Sequence, residues 1–147
     1  MVHARTNIRR AFIDLLIGAT DAGARIYDSR IYTLEKRSLP EIIVFSDHEE
    51  IITDTISWPR SQERSLRVSV ECYVKSGNEV SSAVDNISAQ VESLILASSN
   101  LGGICKDCRL EATDISLNND GEQPVALASL VFAVLYRTLE NSPEIIV

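Results

Sequence analysis

Cys105-x-x-Cys108 is the spacing in this chain that most resembles a chemical site. Two thiols so placed can share a metal ion or close a redox disulfide. A structural zinc needs four ligands, and the remaining candidates are Cys72, His3 and His48. Cys72 falls on the inward phase of an alternating stretch, His3 lies in a loose end, and the sequence has no second CxxC. A thioredoxin-like use fails too, because the pair precedes a strand instead of opening a helix after one. The pair therefore reads as two thiols in a turn. Asp47-His48-Glu49-Glu50 offers oxygens to a cation, yet reads as a solvated acidic loop. Gly102-Gly103 lacks the lysine and the preceding strand of a phosphate loop. Asn118-Asn119-Asp120-Gly121-Glu122 lacks calcium-loop spacing and reads as a turn. Neither histidine has a nearby Ser or Cys to activate. No catalytic residue, cofactor-binding residue or metal ligand is assigned, and the chain reads as a non-enzyme.

The elements that would position any such residue centre on 66–75. Leu66, Val68, Val70, Cys72 and Val74 alternate with Arg67, Ser69, Glu71, Tyr73 and Lys75. Successive strand side chains point to opposite faces, so this stretch is a strand with one buried and one wetter face. Before it, Ile8, Ala11, Phe12, Leu15, Leu16 and Ala19 recur at helical spacing. They predict a helix over about 6–21, capped by Thr6 and closed by Gly23 in a left-handed conformation. Residues 24–32 and Ile42-Ile43-Val44-Phe45 predict a pair of strands, with the charged stretch 34–40 between them.

Residues 46–65 predict a long hairpin or flexible arm, and loops of this length are more often functional than inert. Trp58 on it either anchors a subunit contact or folds back onto the core. Pro59 removes a ladder donor beside it. After 66–75, Asn78 caps a second helix with the stripe Val80, Val84, Ile87, Val91, Leu94 and Ile95, ended by Leu101-Gly102-Gly103. Arg109–Leu117 is a strand whose apolar phase changes, predicting a bulge or a strong twist near Thr113-Asp114. Val125–Thr138 is a last strand with two apolar faces. It is either central and covered on both sides, or covered on one by another subunit. The fold class is α+β: a single domain over 1–147, a mostly antiparallel twisted sheet, and two main helices packed on one face.

Composition agrees with one core-forming domain. At 147 residues, 45% hydrophobic and 24% charged, the chain can bury roughly 68% of its unfolded surface without staples. It has no apolar run long enough to span a bilayer and no secretory pattern, so synthesis in a cytoplasm is expected. Residues 1–75 carry 11 basic and 11 acidic side chains, while 76–147 carry 3 and 10, so the whole net charge of −7 sits in the second half. Such a half is unsuited to gripping nucleic acid. It suits solubility, or a surface past which DNA slides.

Five stretches in order carry a resemblance. They are the helix beginning near Ile8, Tyr32–Phe45, Arg67–Lys75, Leu101–Leu110 and Gln123–Thr138. Together they resemble the tail terminator proteins of long-tailed, lambda-like siphovirus bacteriophages. The resemblance implies a small α+β subunit in a homohexameric ring. That ring caps the tail tube, stops its polymerisation and offers the head a surface for attachment. Implied partners are the chain itself, the major tail tube protein and the head–tail connector, with DNA passing through unbound and no membrane. The implied location is the virion at the head–tail junction, after synthesis in the host bacterial cytoplasm. The family supplies no catalytic residue. Trp58, Arg60, Arg64 and Tyr73 are the expected subunit or tube contacts. Alternatives are another head–tail neck or completion protein, or a small thiol- or metal-dependent enzyme using Cys105, Cys108 and His48.

Overall fold

The computed structural model describes residues 2–29, 39–76, 79–118 and 124–147. Expectations for Asn78, for residues 30–38 and for the turn at 119–123 lie outside them. The elements run α1 (Ala4–Leu16), β1 (Ile26–Asp28), β2 (Glu41–Thr53), β3 (Ser61–Lys75), α2 (Val80–Ile95), β4 (Asp107–Asn118) and β5 (Val125–Leu139). They form a single α+β domain with a five-stranded sheet in the order β1-β2-β3-β5-β4.

The sheet is mixed: most of its described pairings are antiparallel, as expected, and one edge pair is parallel, which was not. β1 runs parallel to β2, with Ile26, Tyr27 and Asp28 opposite Ile42, Ile43 and Val44. The other described pairings, β2–β3, β3–β5 and β4–β5, are antiparallel. Alternation within a strand reports which face is buried and says nothing about neighbour direction, so the parallel edge has no local signature.

Helix α1 starts earlier and stops sooner than its periodicity suggests. His3, not Thr6, is the cap: its Nδ1 accepts from the Arg5 amide at 3.1 Å. After Leu16 the chain extends at Ile17, and Gly18 takes a left-handed conformation with φ of 73°. Gly18 thus ends the helix, because a residue without Cβ enters that region without steric cost. Gly23 is also left-handed, at 59°, but in the turn beyond. Leu15 and Ile17 consequently face solvent while Ala4, Ile8, Phe12 and Leu16 are buried. Helix α2 likewise ends at Ile95, before Leu101-Gly102-Gly103. The carbonyl of Asn100 gathers the amides of Gly103, Ile104 and Cys105 in the turn that follows.

One hydrophobic cluster joins these elements. It takes Ile8, Phe12 and Leu16 from α1 and Val84, Ile87, Val91 and Ile95 from α2. Onto these pack Val68, Val70 and Cys72 of β3 and Leu130, Phe132 and Val134 of β5. Phe12 meets Phe132 edge-on at 5.4 Å between ring centres, a favoured aromatic geometry. Helix α1 lies along β1 and β2, α2 along β3 and β5, and the helices touch each other. The outer phase of β3 is drier than expected: Ser69, Glu71 and Tyr73 are buried, and only Arg67 and Lys75 are exposed. On β5, Leu127, Val131 and Leu135 of the corresponding phase are half-buried and Ala133 is buried. The β4 bulge falls between Leu110 and Ala112, not at Thr113-Asp114. It returns Ile115 and Leu117 to the phase of Leu110, which accounts for the shift in pattern.

Candidate functional site

Residues 46–65 are a continuous hairpin. β2 runs to Thr53, the chain turns at 54–60, and β3 begins at Ser61, with Thr53 paired to Gln62. A bulge between Ser46 and His48 inserts Asp47 and reverses the phase of β2. That reversal is why the stretch resembles a loop in sequence.

Where the hairpin leaves the body, polar side chains replace the apolar core. Arg64 is 6% exposed. Its guanidinium donates to Glu49 at 2.9 Å, to the Thr138 hydroxyl at 3.0 Å and to Gln62 at 2.9 Å. Arg5 reaches the same Glu49 oxygen at 2.8 Å, and the Tyr136 hydroxyl donates to its other oxygen. A buried carboxylate is tolerable only with its oxygens filled, and here two guanidinium groups and a phenol fill them. Burial, reinforced by Glu49, pushes the Tyr136 phenol well above its ordinary range. His3 lies beside this knot. Desolvation and the positive Arg5 and Arg64 hold its imidazole below the usual value, so the neutral, capping form is favoured.

Farther out, ion pairs fasten the hairpin to the end of β5. Arg137 bonds Asp54 at 2.6 Å, lies 3.4 Å from Glu63 and donates to the Ser61 hydroxyl at 2.6 Å. The Arg137 hydrogen bond holds the Asp54 carboxyl below its usual range. Arg60 bonds Glu140 at 2.9 Å, and the Glu140 amide returns a bond to the Arg60 carbonyl. The guanidinium of Arg60 also sits 5.6 Å from the ring centre of Trp58, within cation–π range. The arm so held exposes Ile52, Ile56 and Trp58, the last at 70%.

The four expected contact residues separate into distinct settings. Trp58 and Arg60 stand together at the hairpin tip, and Trp58 does not fold back onto the core. Arg64 is committed to the buried knot. Tyr73 is buried at the other end of β3, its hydroxyl donating to Glu71 at 3.0 Å. Sequence reasoning missed Glu49, Tyr136, Arg137 and Glu140, whose partners lie far away in the chain. The one available signal was β5 ending in Tyr136, Arg137 and Thr138 after an apolar run.

The thiols are poorly suited to chemistry. Cys72, Cys105 and Cys108 are free and buried. Burial, first of all causes, pushes Cys105 up to about 11 and Cys108 and Cys72 up to about 12, so thiolate is scarce near neutrality. Ile146 and Val147 border an open cleft of about 350 Å³ beside Cys105 and Tyr136. The Val147 amide is fixed to the Arg137 carbonyl at 2.9 Å. Around His48, Asp47 is engaged with Arg67 at 3.0 Å and Glu49 in the knot, while Glu50 lies 3.7 Å from the imidazole. Among the described residues no cluster of three or more His, Cys, Asp or Glu could hold a metal ion. None of their helices is long and apolar enough to cross a membrane.

Set beside known families, residues 3–136 match the phage minor tail protein U family. The match covers most of the chain, and the chain belongs to that family. Its role is that of a structural protein of the phage tail, and its place is the virion. No curated protein matches the chain.

Proposed function

We propose that this tail protein is the terminator of a long phage tail. Six copies form a ring on the last ring of the tail tube, end its growth and leave a surface for the head connector. The mechanism is steric. The lower face complements the tube, the upper face does not, and no template for the next ring remains. Copies meet head to tail, in contacts that close by rotation.

The observation that carries this reading is the hairpin arm on a protein of a phage tail family. Ion pairs hold it out from the body, and it turns Ile52, Ile56 and Trp58 to solvent. Exposed apolar groups on a stiff support characterise surfaces that bind other proteins. Trp58 and Arg60 are the contact residues at its tip, Arg64 fixes its base, and Tyr73 supports the sheet from which it leaves. Leu127, Val131 and Leu135, half-buried on β5, suit coverage by a neighbouring copy. The acidic half, 76–147, suits a lumen that repels DNA and lets it slide. DNA ejection unaffected by charge reversal there would remove that last point.

Tube growth tests the proposal. Purified chain added to polymerising tail tube protein should stop elongation at a definite length. The variant Trp58→Ala should keep its melting temperature and lose about 2 kcal/mol of capping affinity, as a buried aromatic anchor does. Tubes that elongate unchanged under saturating protein would refute the capping role.

A further inference from the structure

The helix layer carries a shallow cleft between the turn after α1 and the second half of α2. It holds about 340 Å³ and is lined by Ala19, Ala89, Gln90, Ser93 and Leu94, none of them charged. On the same segments Leu15, Ile17 and Leu96 are 37%, 48% and 39% exposed. Apolar groups left in solvent about a concave surface mark a site for another protein. Its edge is acidic. The Asp21 amide donates to the Gln90 carbonyl at 2.9 Å, and the Gln90 amide donates to the Asp21 carboxylate at 3.1 Å. That carboxylate is thus fixed at the edge by a neutral group and keeps its charge.

The tip of the arm has the complementary shape and charge. Ile56 is wholly exposed and Trp58 is 70% exposed. The Arg60 guanidinium sits 5.6 Å from the indole and is about half exposed. An indole entering the cleft therefore brings a cation toward Asp21, which favours the contact further.

A chain's own tip does not reach its own cleft. Helix α1 starts at the base of the arm, where Arg5 meets Glu49, and runs away from the tip, with Arg9 at Ser46. Its 13 residues put about 20 Å of helix between the arm base and the cleft. Tip and cleft are thus different surfaces at opposite ends of the chain, as head-to-tail contacts in a ring require.

We propose that Trp58 of each copy docks in the cleft between α1 and α2 of the next copy, with Arg60 facing Asp21 of that copy. This contact rests on the ring reading above and makes the partner of the arm a second copy of the chain.

Cross-linking tests it. Ile56→Cys and Ser93→Cys place thiols at the tip and in the cleft, and wild type is the blank because its three thiols are buried. With a short bis-maleimide, an equimolar mixture of the two single variants should give linked dimers. The double variant on tail tubes should give a ladder ending at six. Neither single variant should link alone. Ala89→Phe fills the cleft from an exposed position. It should raise the protein needed for half-assembly, read by light-scattering mass, about thirtyfold, and Trp58→Ala should match it. Both should keep the wild-type melting temperature. A particle near six subunits that forms without cross-links would overturn the contact and leave the ring intact. Dimers from Ile56→Cys alone would assign the tip to pairing with itself. Normal assembly and capping by Ala89→Phe, with capping lost in Trp58→Ala, would assign the tip to the tube instead. A wild-type chain that never assembles, alone or on tubes, would remove the ring and the contact together.

Discussion

The β2–β3 hairpin is held by different forces at its two ends. In the body, the row Val44, Val70, Leu130 is wholly buried between strands and helices. In the arm, the row Ile52, Glu63, Arg137 has no helix over it and closes with an ion pair from Arg137 to Asp54 and a hydrogen bond to the Ser61 hydroxyl. The knot of Arg5, Glu49, Arg64 and Tyr136 marks the border. Apolar burial is non-directional and needs a covering layer, so it ends where the helices end. Charge pairs need only a partner on the next strand. They can extend a sheet into solvent and leave its apolar residues free for another surface.

Phe132→Ala strikes the body hardest. It removes the ring packed on Phe12 and should cost about 4 kcal/mol, seen as a large fall in denaturant midpoint with both ends unfolding together. Glu49→Ala attacks the border and leaves Arg64 buried without its carboxylate. A loss of about 3 kcal/mol is expected, with faster amide exchange in 48–53 than in 66–74. Equal acceleration in both stretches would show that the arm and body are one cooperative unit. Arg137→Ala touches the arm alone. Because the group is solvent-accessible, the melting temperature should barely move, while exchange at 52–54 and 61–63 rises.

The smallest effect is set by pH. His3 titrates below its ordinary value in the folded chain, so folding favours its neutral form. Its contribution is complete above about 6.5 and is lost as pH falls through the lower folded value. His3→Asn, which keeps a capping oxygen, should flatten the stability profile between neutral pH and that value. An unchanged slope would assign acid sensitivity to another group.

Much of the body is legible in sequence because its elements repeat one residue class at one period. The stripe Val80, Val84, Ile87, Val91 and Ile95 is the buried face of α2, and Leu66 to Val74 is the core phase of β3. The arm is less legible because its order comes from pairs distant in the chain. Glu49 reads as part of a solvated loop until Arg5, Arg64 and Tyr136 are brought around it. Asp47, inserted by a bulge, breaks the alternation that would have revealed the rest of β2. Trp58 was open to two readings because a lone indole suits a core or an interface equally well, and only its place at the tip decides between them. Arg64 and Tyr73 carry the chemistry of surface contacts, yet the structure encloses both within the chain.

The central claim is assembly, and mass measures it most directly. Light scattering on the purified chain, alone and with tail tubes over a range of concentration, should give a particle near six subunits in solution or at the tube end. A chain that remains monomeric at every concentration and leaves the tubes bare would contradict the account.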